Sequence, residues 1–189
     1  MTELEQYINS YFGVTGEEMS TIASLFKQAT LKKGDFYIHS GTPCEKLCFI
    51  QSGFLRVYAT SNEKEITQWI GSKGSFLGDM DSLMFNTPSR WNMQALTDTE
   101  IHSIPKEDYN RIIEMVPRWP EIEKYFMVNC FTLMEGRIFA HLSMSAEERY
   151  AHFYSLNKEL FNQVPLQYIA SMLGMTPETF SRIRRKIMV

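Results

Sequence analysis

The segment from Pro165 to Ile187 constrains the fold more than any other part of the chain. Apolar residues recur there at the spacing of two short helices. Gly174 falls between them, where a helix end needs the left-handed backbone that glycine adopts without steric cost. Thr176 is suited to cap a second helix, and Pro177 to occupy its first position. The sequence therefore predicts two helices joined by a tight turn.

The second of these helices has one apolar side and one polar side. Phe180 and Ile183 lie three residues apart and are predicted to face the first helix. The opposite side carries polar and basic side chains that can meet base edges and phosphates. The predicted DNA-binding residues are Thr176, Glu178, Thr179, Ser181, Arg182, Arg185 and Lys186. This arrangement is typical of a DNA-binding helix-turn-helix.

Charge is distributed unevenly along the chain. Between Leu166 and Val189 there are four basic residues and one acidic residue, a net charge of +3. The rest of the chain has 15 basic and 21 acidic residues, a net charge of −6. An ordinary helical hairpin with a solvated charged face is the alternative interpretation. Positive charge concentrated where a duplex would lie favours DNA binding.

The region from Leu31 to about Ile104 has the pattern of a small β domain. Short runs of β-branched and aromatic residues alternate there with glycines, which favours a sandwich or barrel. These glycines are Gly34, Gly41, Gly53, Gly71, Gly74 and Gly78. Leu47–Ile50 and Phe54–Tyr58, separated by Gln-Ser-Gly, are predicted to form a hairpin. Two short helices are predicted between residues 4 and 30, and one over residues 107–116.

A long helix is predicted from Pro120 to about Ser143. It has one apolar stripe of Met127, Phe131, Met134, Ile138 and Leu142, and a thinner one of Ile122, Phe126, Leu133 and Ala140. A helix with two apolar faces must be covered on two sides. We expect the β domain to cover one side and the same helix of a second chain to cover the other. The alternative is that one chain covers both. A further helix is predicted to begin after Ser145.

Several classes of protein do not fit the sequence. The four histidines are scattered without metal-ligand spacing, and the three cysteines, Cys44, Cys48 and Cys130, are expected to be buried free thiols. No metal site is therefore predicted. A cupin-like β-barrel enzyme is disfavoured because the sequence lacks histidines with metal-ligand spacing. No catalytic arrangement of residues is recognised either, so the protein is not expected to be an enzyme. No signal peptide or membrane span is found, and a cytoplasmic location is expected, with no membrane partner.

In its order of a glycine-punctuated β domain, a long helix and a helix-turn-helix, the chain resembles the CRP/FNR family of bacterial transcription regulators. Lys33–Gly41, Leu47–Val57 and Gly74–Asp79 resemble its β-roll motifs, and Ala146–Arg149 and Ile169–Arg182 resemble its C-terminal motifs. The resemblance implies an α+β fold with an N-terminal β-roll of the cyclic nucleotide-binding type (a double-stranded β-helix), a long dimerisation helix and a C-terminal winged helix-turn-helix. The corresponding segments are residues 1–119, 120–144 and 145–189.

The resemblance also implies a function. In the family, the residues corresponding to Glu178 and Arg182 read base edges, which agrees with the pairing of a carboxylate with cytosine and of arginine with guanine. Pro177 departs from the basic or polar residue that some members carry just before this glutamate, so the resemblance does not extend to the neighbouring base contact. Because the chain ends at Val189, soon after the second helix, any wing is expected between Leu160 and Leu166. The implied function is that of a homodimeric, sequence-specific regulator of transcription that binds a pseudo-palindromic site in double-stranded DNA. RNA polymerase is a further candidate partner, and a nucleotide-sensing module acting through protein partners is the alternative.

The resemblance places a candidate effector site in the β domain. Cyclic-nucleotide binders of the family use a Gly-Glu pair at the ribose, and an arginine followed by a small hydroxyl residue at the phosphate. The corresponding candidate ligand-binding residues here are Gly78, Asp79, Met80, Ser89, Arg90 and Trp91. Asp79 is shorter than glutamate and Trp91 replaces the small residue, which disfavours a cyclic nucleotide without excluding it. Another small effector, or none, fits equally well, and no cofactor is required. The absence of a fourth cysteine argues against an iron–sulfur cluster.

Overall fold

A computed structural model describes residues 1–187, in which eight strands form two antiparallel sheets. The strands are β1 (Lys27–Leu31), β2 (Phe36–Ile38), β3 (Lys46–Ser52), β4 (Leu55–Ser61), β5 (Lys64–Gly71), β6 (Phe76–Leu77), β7 (Asn92–Ala95) and β8 (Thr99–Pro105). One sheet has the order β1-β8-β3-β6 and the other β2-β7-β4-β5. Except for β4 and β5, strands that follow each other in the chain lie in different sheets and form a roll, which confirms the predicted β domain.

The predicted hairpin of Leu47–Ile50 with Phe54–Tyr58 is wrong. These segments lie in β3 and β4, which belong to different sheets: β3 pairs with β6 and β8, and β4 pairs with β5 and β7. The chain crosses from one sheet to the other at Gly53, where φ is 86° and an added Cβ would lie 2.5 Å from the Asp98 carbonyl oxygen. The hairpin partner of β4 is β5, and its turn residues Asn62 and Glu63 both have positive φ, as a tight two-residue turn requires.

Within residues 1–187 there are ten helices: two precede the roll, α3 lies between β6 and β7, and seven follow the roll. They are α1 (Glu3–Phe12), α2 (Gly16–Ser24), α3 (Met80–Phe85), α4 (Lys106–Asn110), α5 (Ile112–Met115), α6 (Trp119–Ser143), α7 (Ala146–Leu156), α8 (Leu160–Gln163), α9 (Leu166–Met172) and α10 (Pro177–Ile187). The two N-terminal helices and the long helix are as predicted. The single helix predicted over residues 107–116 is divided at Arg111 into α4 and α5. Ser145 caps α7 reciprocally with Glu148, as the sequence indicates.

Phe49 on β3 is the centre of the main core. Its side chain is fully buried, and the rings of Tyr7, Tyr11, Phe26 and Phe76 lie between 4.7 and 6.0 Å from it, centroid to centroid. Such aromatic contacts add to the stabilisation that burial alone provides. The first half of α6 joins this core, so the roll, the N-terminal helices and the start of the long helix form one packed unit.

A second core is formed by side chains of α7, α8, α9 and α10, together with residues of the roll. Tyr150, Ile169 and Phe180 are buried at its centre, and Phe54 and Ile70 from the roll pack into it. The C-terminal helices are therefore docked on the sheet that contains β4 and β5. The last two residues of the predicted segment 145–189 lie outside the described part of the chain.

The wing expected between Leu160 and Leu166 is not formed by strands. Leu160–Gln163 is the short helix α8, and Leu160 and Phe161 bury their side chains in the second core. Apolar packing against Tyr150 and Phe180 thus fixes this segment as a helix. Among residues 106–187 the structure contains helices and turns, but no strand.

None of the helices in the described part of the chain is both long enough and apolar enough to cross a lipid bilayer.

Candidate nucleic-acid interface and effector site

The turn between α9 and α10 has the geometry that the sequence predicts. Gly174 adopts φ 69°, in the left-handed region. The Met175 backbone N–H donates to the Ala170 carbonyl oxygen at 2.9 Å, and the Met175 side chain is buried in the second core. The Thr176 hydroxyl accepts a hydrogen bond from the Thr179 backbone N–H at 3.2 Å, which caps the start of α10. The two helices are thereby held at a fixed corner.

Helix α10 is anchored by its apolar side. Phe180 and Ile183 are buried against α7 and α9, as predicted, and the Tyr150 ring meets the Phe180 ring edge-on at 5.1 Å. The helix is too short and too polar to be stable on its own, so this packing is what positions it. Because its inner side is fixed, the direction of its outer side chains is fixed as well.

The outer side of α10 carries the predicted DNA-binding residues. All of them are exposed except Thr179, which is half-buried. Two have local roles in addition: Thr176 caps the helix, and Lys186 forms an ion pair with Glu147 at 2.9 Å. Hydrogen bonds from its own backbone N–H and from the Thr176 hydroxyl lower the pKa of Glu178, which favours the carboxylate form that accepts hydrogen bonds. Arg182 and Arg185 extend the exposed surface by about one turn.

The candidate effector residues are divided by the structure into two groups. Gly78, Asp79 and Ser89 come together inside the roll. Asp79 is buried, caps α3 by accepting from the Ser82 backbone N–H, and accepts from the Ser89 hydroxyl at 2.7 Å. An added Cβ at Gly78 would lie 2.0 Å from a methyl carbon of Leu47, so the roll wall leaves no space for a side chain there.

Arg90 and Trp91 are not part of this group: Arg90 is exposed, and the Trp91 side chain is half-buried against the main core, although its backbone N–H donates to the Ser89 hydroxyl at 3.0 Å. Ser89 is 2% exposed, whereas Arg90 is exposed and its guanidinium lies 4.9 Å from the centre of the Trp91 ring. Met80 is half-buried against the main core. The structure therefore places a serine, and not the arginine, beside Asp79. The Asp79 carboxylate already has two hydrogen-bond donors from the chain itself.

The cysteines are poor ligands in this fold. Burial raises the pKa of Cys48 to about 12 and also raises the pKa of the Cys44 and Cys130 thiols. Metals and clusters bind the thiolate, which these environments disfavour at neutral pH.

Sequence reasoning missed a cluster around Arg56 on β4, which connects the roll to α9. Arg56 is 1% exposed, donates to the Thr67 hydroxyl at 2.9 Å and forms an ion pair with Glu65 at 2.6 Å. Its guanidinium lies between two aromatic rings, 4.1 Å from the centre of Tyr58 and 3.7 Å from that of Tyr168 on α9. The sequence does contain a signal for this cluster, because Arg56 lies inside the apolar run Phe54–Tyr58. An arginine that is buried with such a run requires partners for its charge.

A second contact ties the same surfaces together. The Ser171 hydroxyl of α9 accepts a hydrogen bond from the Thr67 backbone N–H of β5 at 3.0 Å. The first helix of the pair therefore docks on the β4–β5 hairpin through the arginine, two tyrosine rings and a hydrogen bond. We call this contact the Arg56 junction.

The long helix α6 leaves one of its two apolar stripes uncovered in the single chain. In the thinner stripe, Ile122 and Phe126 are buried in the main core, where Phe126 packs against Phe12 of α1 and Phe76 of β6. The other stripe, Met127, Phe131, Met134, Ile138 and Leu142, is exposed along its whole length. We call it the exposed stripe of α6. An apolar surface of this length in contact with water indicates an interaction site.

The comparisons with known proteins agree with this architecture. Residues 28–115 match the cyclic nucleotide-binding domain family. A voltage-gated inwardly rectifying potassium channel of Mus musculus is 26% identical over 128 residues, which is 67% of this chain and 10% of the channel's length. Two bacterial structures cover most of the chain. The catabolite activator protein of Thermus thermophilus has a TM-score of 0.59 and 24% identity over 96% of this chain and 86% of its own. FixK2 of Bradyrhizobium japonicum has a TM-score of 0.71 and 16% identity over 86% of this chain and 84% of its own.

These matches define first a class of fold: a cyclic nucleotide-binding roll followed by a long helix and a helical C-terminal domain. The two bacterial structures show this fold over most of the chain.

Proposed function

We propose that this chain is a homodimeric, sequence-specific DNA-binding regulator of transcription, and not an enzyme. The observation that carries the proposal is helix α10, which buries Phe180 and Ile183 and holds Glu178, Ser181 and Arg182 outward on an exposed, basic surface. Two such helices related by a two-fold axis would enter successive major grooves, about 34 Å apart. The binding site in DNA would then be a pseudo-palindrome.

Each outward residue has a role that its chemistry supports. Glu178 can accept from cytosine and Arg182 can donate to guanine, so these two would read bases. Arg185 and Lys186 lie near the end of α10, where a positive charge also complements the helix dipole, and they would contact phosphates. The ion pair of Lys186 with Glu147 links this end of α10 to α7.

The roll would act as the regulatory domain. Through the Arg56 junction its β4–β5 hairpin contacts the helix that precedes α10. A small effector that moved this hairpin would therefore change the separation of the two recognition helices in the dimer.

Arg182→Ala is expected to weaken binding to a selected operator by about 1–3 kcal/mol and to relax preference at one base pair in each half-site. The reason is that Arg182 is exposed on the outer side of α10, so its removal leaves the packing of Phe180 and Ile183 intact. The operator is first selected from random duplexes with the wild-type chain. Affinity is then measured by fluorescence anisotropy on the operator and on its single-base variants.

Arg185→Ala is the matched comparison, because it removes the same charge from the same helix. It is expected to weaken binding to all DNA sequences by a similar factor. It is also expected to reduce the slope of log affinity against log salt concentration by about 1. An Arg182→Ala protein with the wild-type base preference would contradict the assignment. Failure of the wild-type chain to select any sequence would favour the alternative of a module that acts through protein partners.

Cyclic AMP is expected to bind the wild-type chain with a dissociation constant weaker than about 10 µM. A bound cyclic phosphate needs a positioned guanidinium, whereas Arg90 faces outward here and Asp79 is engaged by Ser82 and Ser89. Isothermal titration calorimetry at neutral pH, with an established cyclic AMP-binding protein as the positive control, measures this. A dissociation constant of about 10 µM or tighter, worth about 7 kcal/mol or more, would contradict the expectation.

A further inference from the structure

A cavity of about 320 Å³ lies where α6, α7, α9 and β5 meet, beside Met144 and Ser145, the short connection between α6 and α7 that we call the hinge. We call this cavity the hinge cavity. Its walls include Trp69, Leu133, Phe153 and Met172, and most of its lining is apolar. Ligand sites in proteins are commonly cavities of roughly this size, with apolar walls and a few polar groups.

The hinge cavity lies on the side of α6 opposite to the exposed stripe. Leu133 and Ala140 line the cavity, whereas Phe131 and Ile138 belong to the stripe. At about 100° per residue, positions two apart on a helix are separated by roughly 200°. A second chain packed on the stripe would therefore leave Leu133 and Ala140 uncovered, whereas Arg137 and His141 lie between the cavity and the stripe. Leu133 is 62% exposed, although the same face of α6 is buried in the main core at Ile122 and Phe126.

Gly136 forms part of the wall, in the middle of α6. A glycine weakens a helix interior relative to alanine, so its position calls for a reason. An added Cβ at Gly136 would have nothing within 4 Å, so close packing within the chain does not require the glycine. The glycine leaves this part of the wall without a side chain and with room for one.

The ionisable groups that line the cavity are basic: Arg137, His141, Arg149 and His152. Arg137 is half-buried, donates to the Gln68 carbonyl oxygen at 2.5 Å and lies over the Trp69 ring at 4.4 Å. That hydrogen bond uses one of the five N–H donors of a guanidinium. Arg149 donates to the carbonyl oxygens of Met144 and Leu173. Within residues 1–187 no carboxylate lies within 4.0 Å of either guanidinium.

We propose that the hinge cavity binds a small amphipathic anion, with an apolar body against Leu133 and Phe153 and a carboxylate at Arg137. A partly buried cation without an acidic partner favours a ligand with a negative charge. The apolar walls favour a ligand with a hydrocarbon or aromatic body over free phosphate or sulfate. A body of roughly eight to twelve carbons suits the volume. Since the cavity touches both α6 and the two helices α7 and α9, its occupant contacts both sides of the hinge.

The test is isothermal titration of the full chain with decanoate, in the absence of DNA and below the concentration at which decanoate forms micelles. Decanol, which has the same body without the charge, and sodium sulfate, which has charge without the body, are the ligand controls. Decanoate is expected to bind saturably, one per chain, and at least about tenfold more tightly than either control.

Two variants of one position test the location. Gly136→Leu is expected to lower the decanoate affinity at least about tenfold, because a branched side chain on this wall would take up part of the cavity, while its Cβ meets no atom within 4 Å. Gly136→Ala, which adds only a methyl group, is expected to bind as the wild type does. Circular dichroism confirms that both variants keep the helical content of the wild type. Arg137→Met is expected to abolish the preference for decanoate over decanol.

The proposal is overturned if the wild type shows no saturable decanoate binding, if Gly136→Leu binds decanoate as well as the wild type does, or if decanol binds equally well. Because DNA is absent from these titrations, the outcome is independent of the proposed regulatory function. A chain that binds decanoate and selects no DNA sequence would contradict only that function.

Discussion

Phe131→Glu and Ile138→Glu are each expected to convert a dimer of this protein into folded, soluble monomers. The two side chains are 63% and 56% exposed in the single chain, so a charge at either position costs the monomer little. In an interface between two chains, each chain would bury one such charge without a partner. We expect this burial to cost about 3–5 kcal/mol. Sedimentation velocity over a range of concentrations measures the association, and loss of operator binding should accompany it.

Thr132→Glu is the matched control for these substitutions. It adds the same charge to the same exposed helix, roughly 120° around from the exposed stripe. This variant is expected to sediment as the wild type does. If the Phe131→Glu and Ile138→Glu proteins are folded and also sediment like the wild type, the exposed stripe is not the dimer interface.

The parts of the fold that depend on local signals were predicted well from the sequence. Gly174 marks the corner between α9 and α10, and Ser145 marks the start of α7, because a cap or a left-handed residue acts within one turn of the chain. The exposed stripe of α6 was predicted for a similar reason, since helical periodicity is visible in the sequence itself. The roles of the outward residues on α10 remain predictions.

The errors concern pairings between distant segments. The short connection around Gly53 has a length that suits a hairpin, yet β3 and β4 pair with strands in different sheets. These pairings join residues far apart in the chain, so a short segment of sequence does not predict them. The segment expected to form a wing is helical because Leu160 and Phe161 are drawn into the second core. Ser89 and Arg90 face opposite ways because backbone direction in the roll, and not residue type, decides which of two neighbours points inward.

Arginines at the boundary between the roll and the C-terminal helices explain how α10 can be held relative to the roll. Arg56 connects β4 to α9, Arg137 connects α6 to β5, and Arg149 connects the end of α6 to α9. In each case the guanidinium meets an aromatic face or a backbone carbonyl, groups that accept its planar charge in several orientations. Hydrophobic packing alone, being non-directional, would fix the angle between the domains less well.

Arg56→Ala is expected to destabilise the chain by about 2–4 kcal/mol, the range for emptying a large buried site. Arg56 is 1% exposed, and its removal leaves a space between Tyr58 and Tyr168 and deprives the Thr67 hydroxyl of its donor. Urea denaturation followed by circular dichroism measures the loss. Arg111→Ala, which removes an arginine with an exposed ion pair, is the control and is expected to change stability by less than about 0.5 kcal/mol.

A double-mutant cycle then separates the contact between domains from packing within the roll. Arg56→Met keeps most of the apolar stem and Tyr168→Leu keeps an apolar side chain on α9, so together they test the guanidinium–ring contact at 3.7 Å. The coupling energy is expected to be about 1 kcal/mol or more, since the contact is shielded from water. Faster hydrogen exchange at the Thr67 N–H, which is bonded to Ser171, should accompany either single change. A coupling energy near zero, with unchanged exchange at Thr67, would show that Arg56 stabilises only the roll and that the orientation of α9 depends on other contacts.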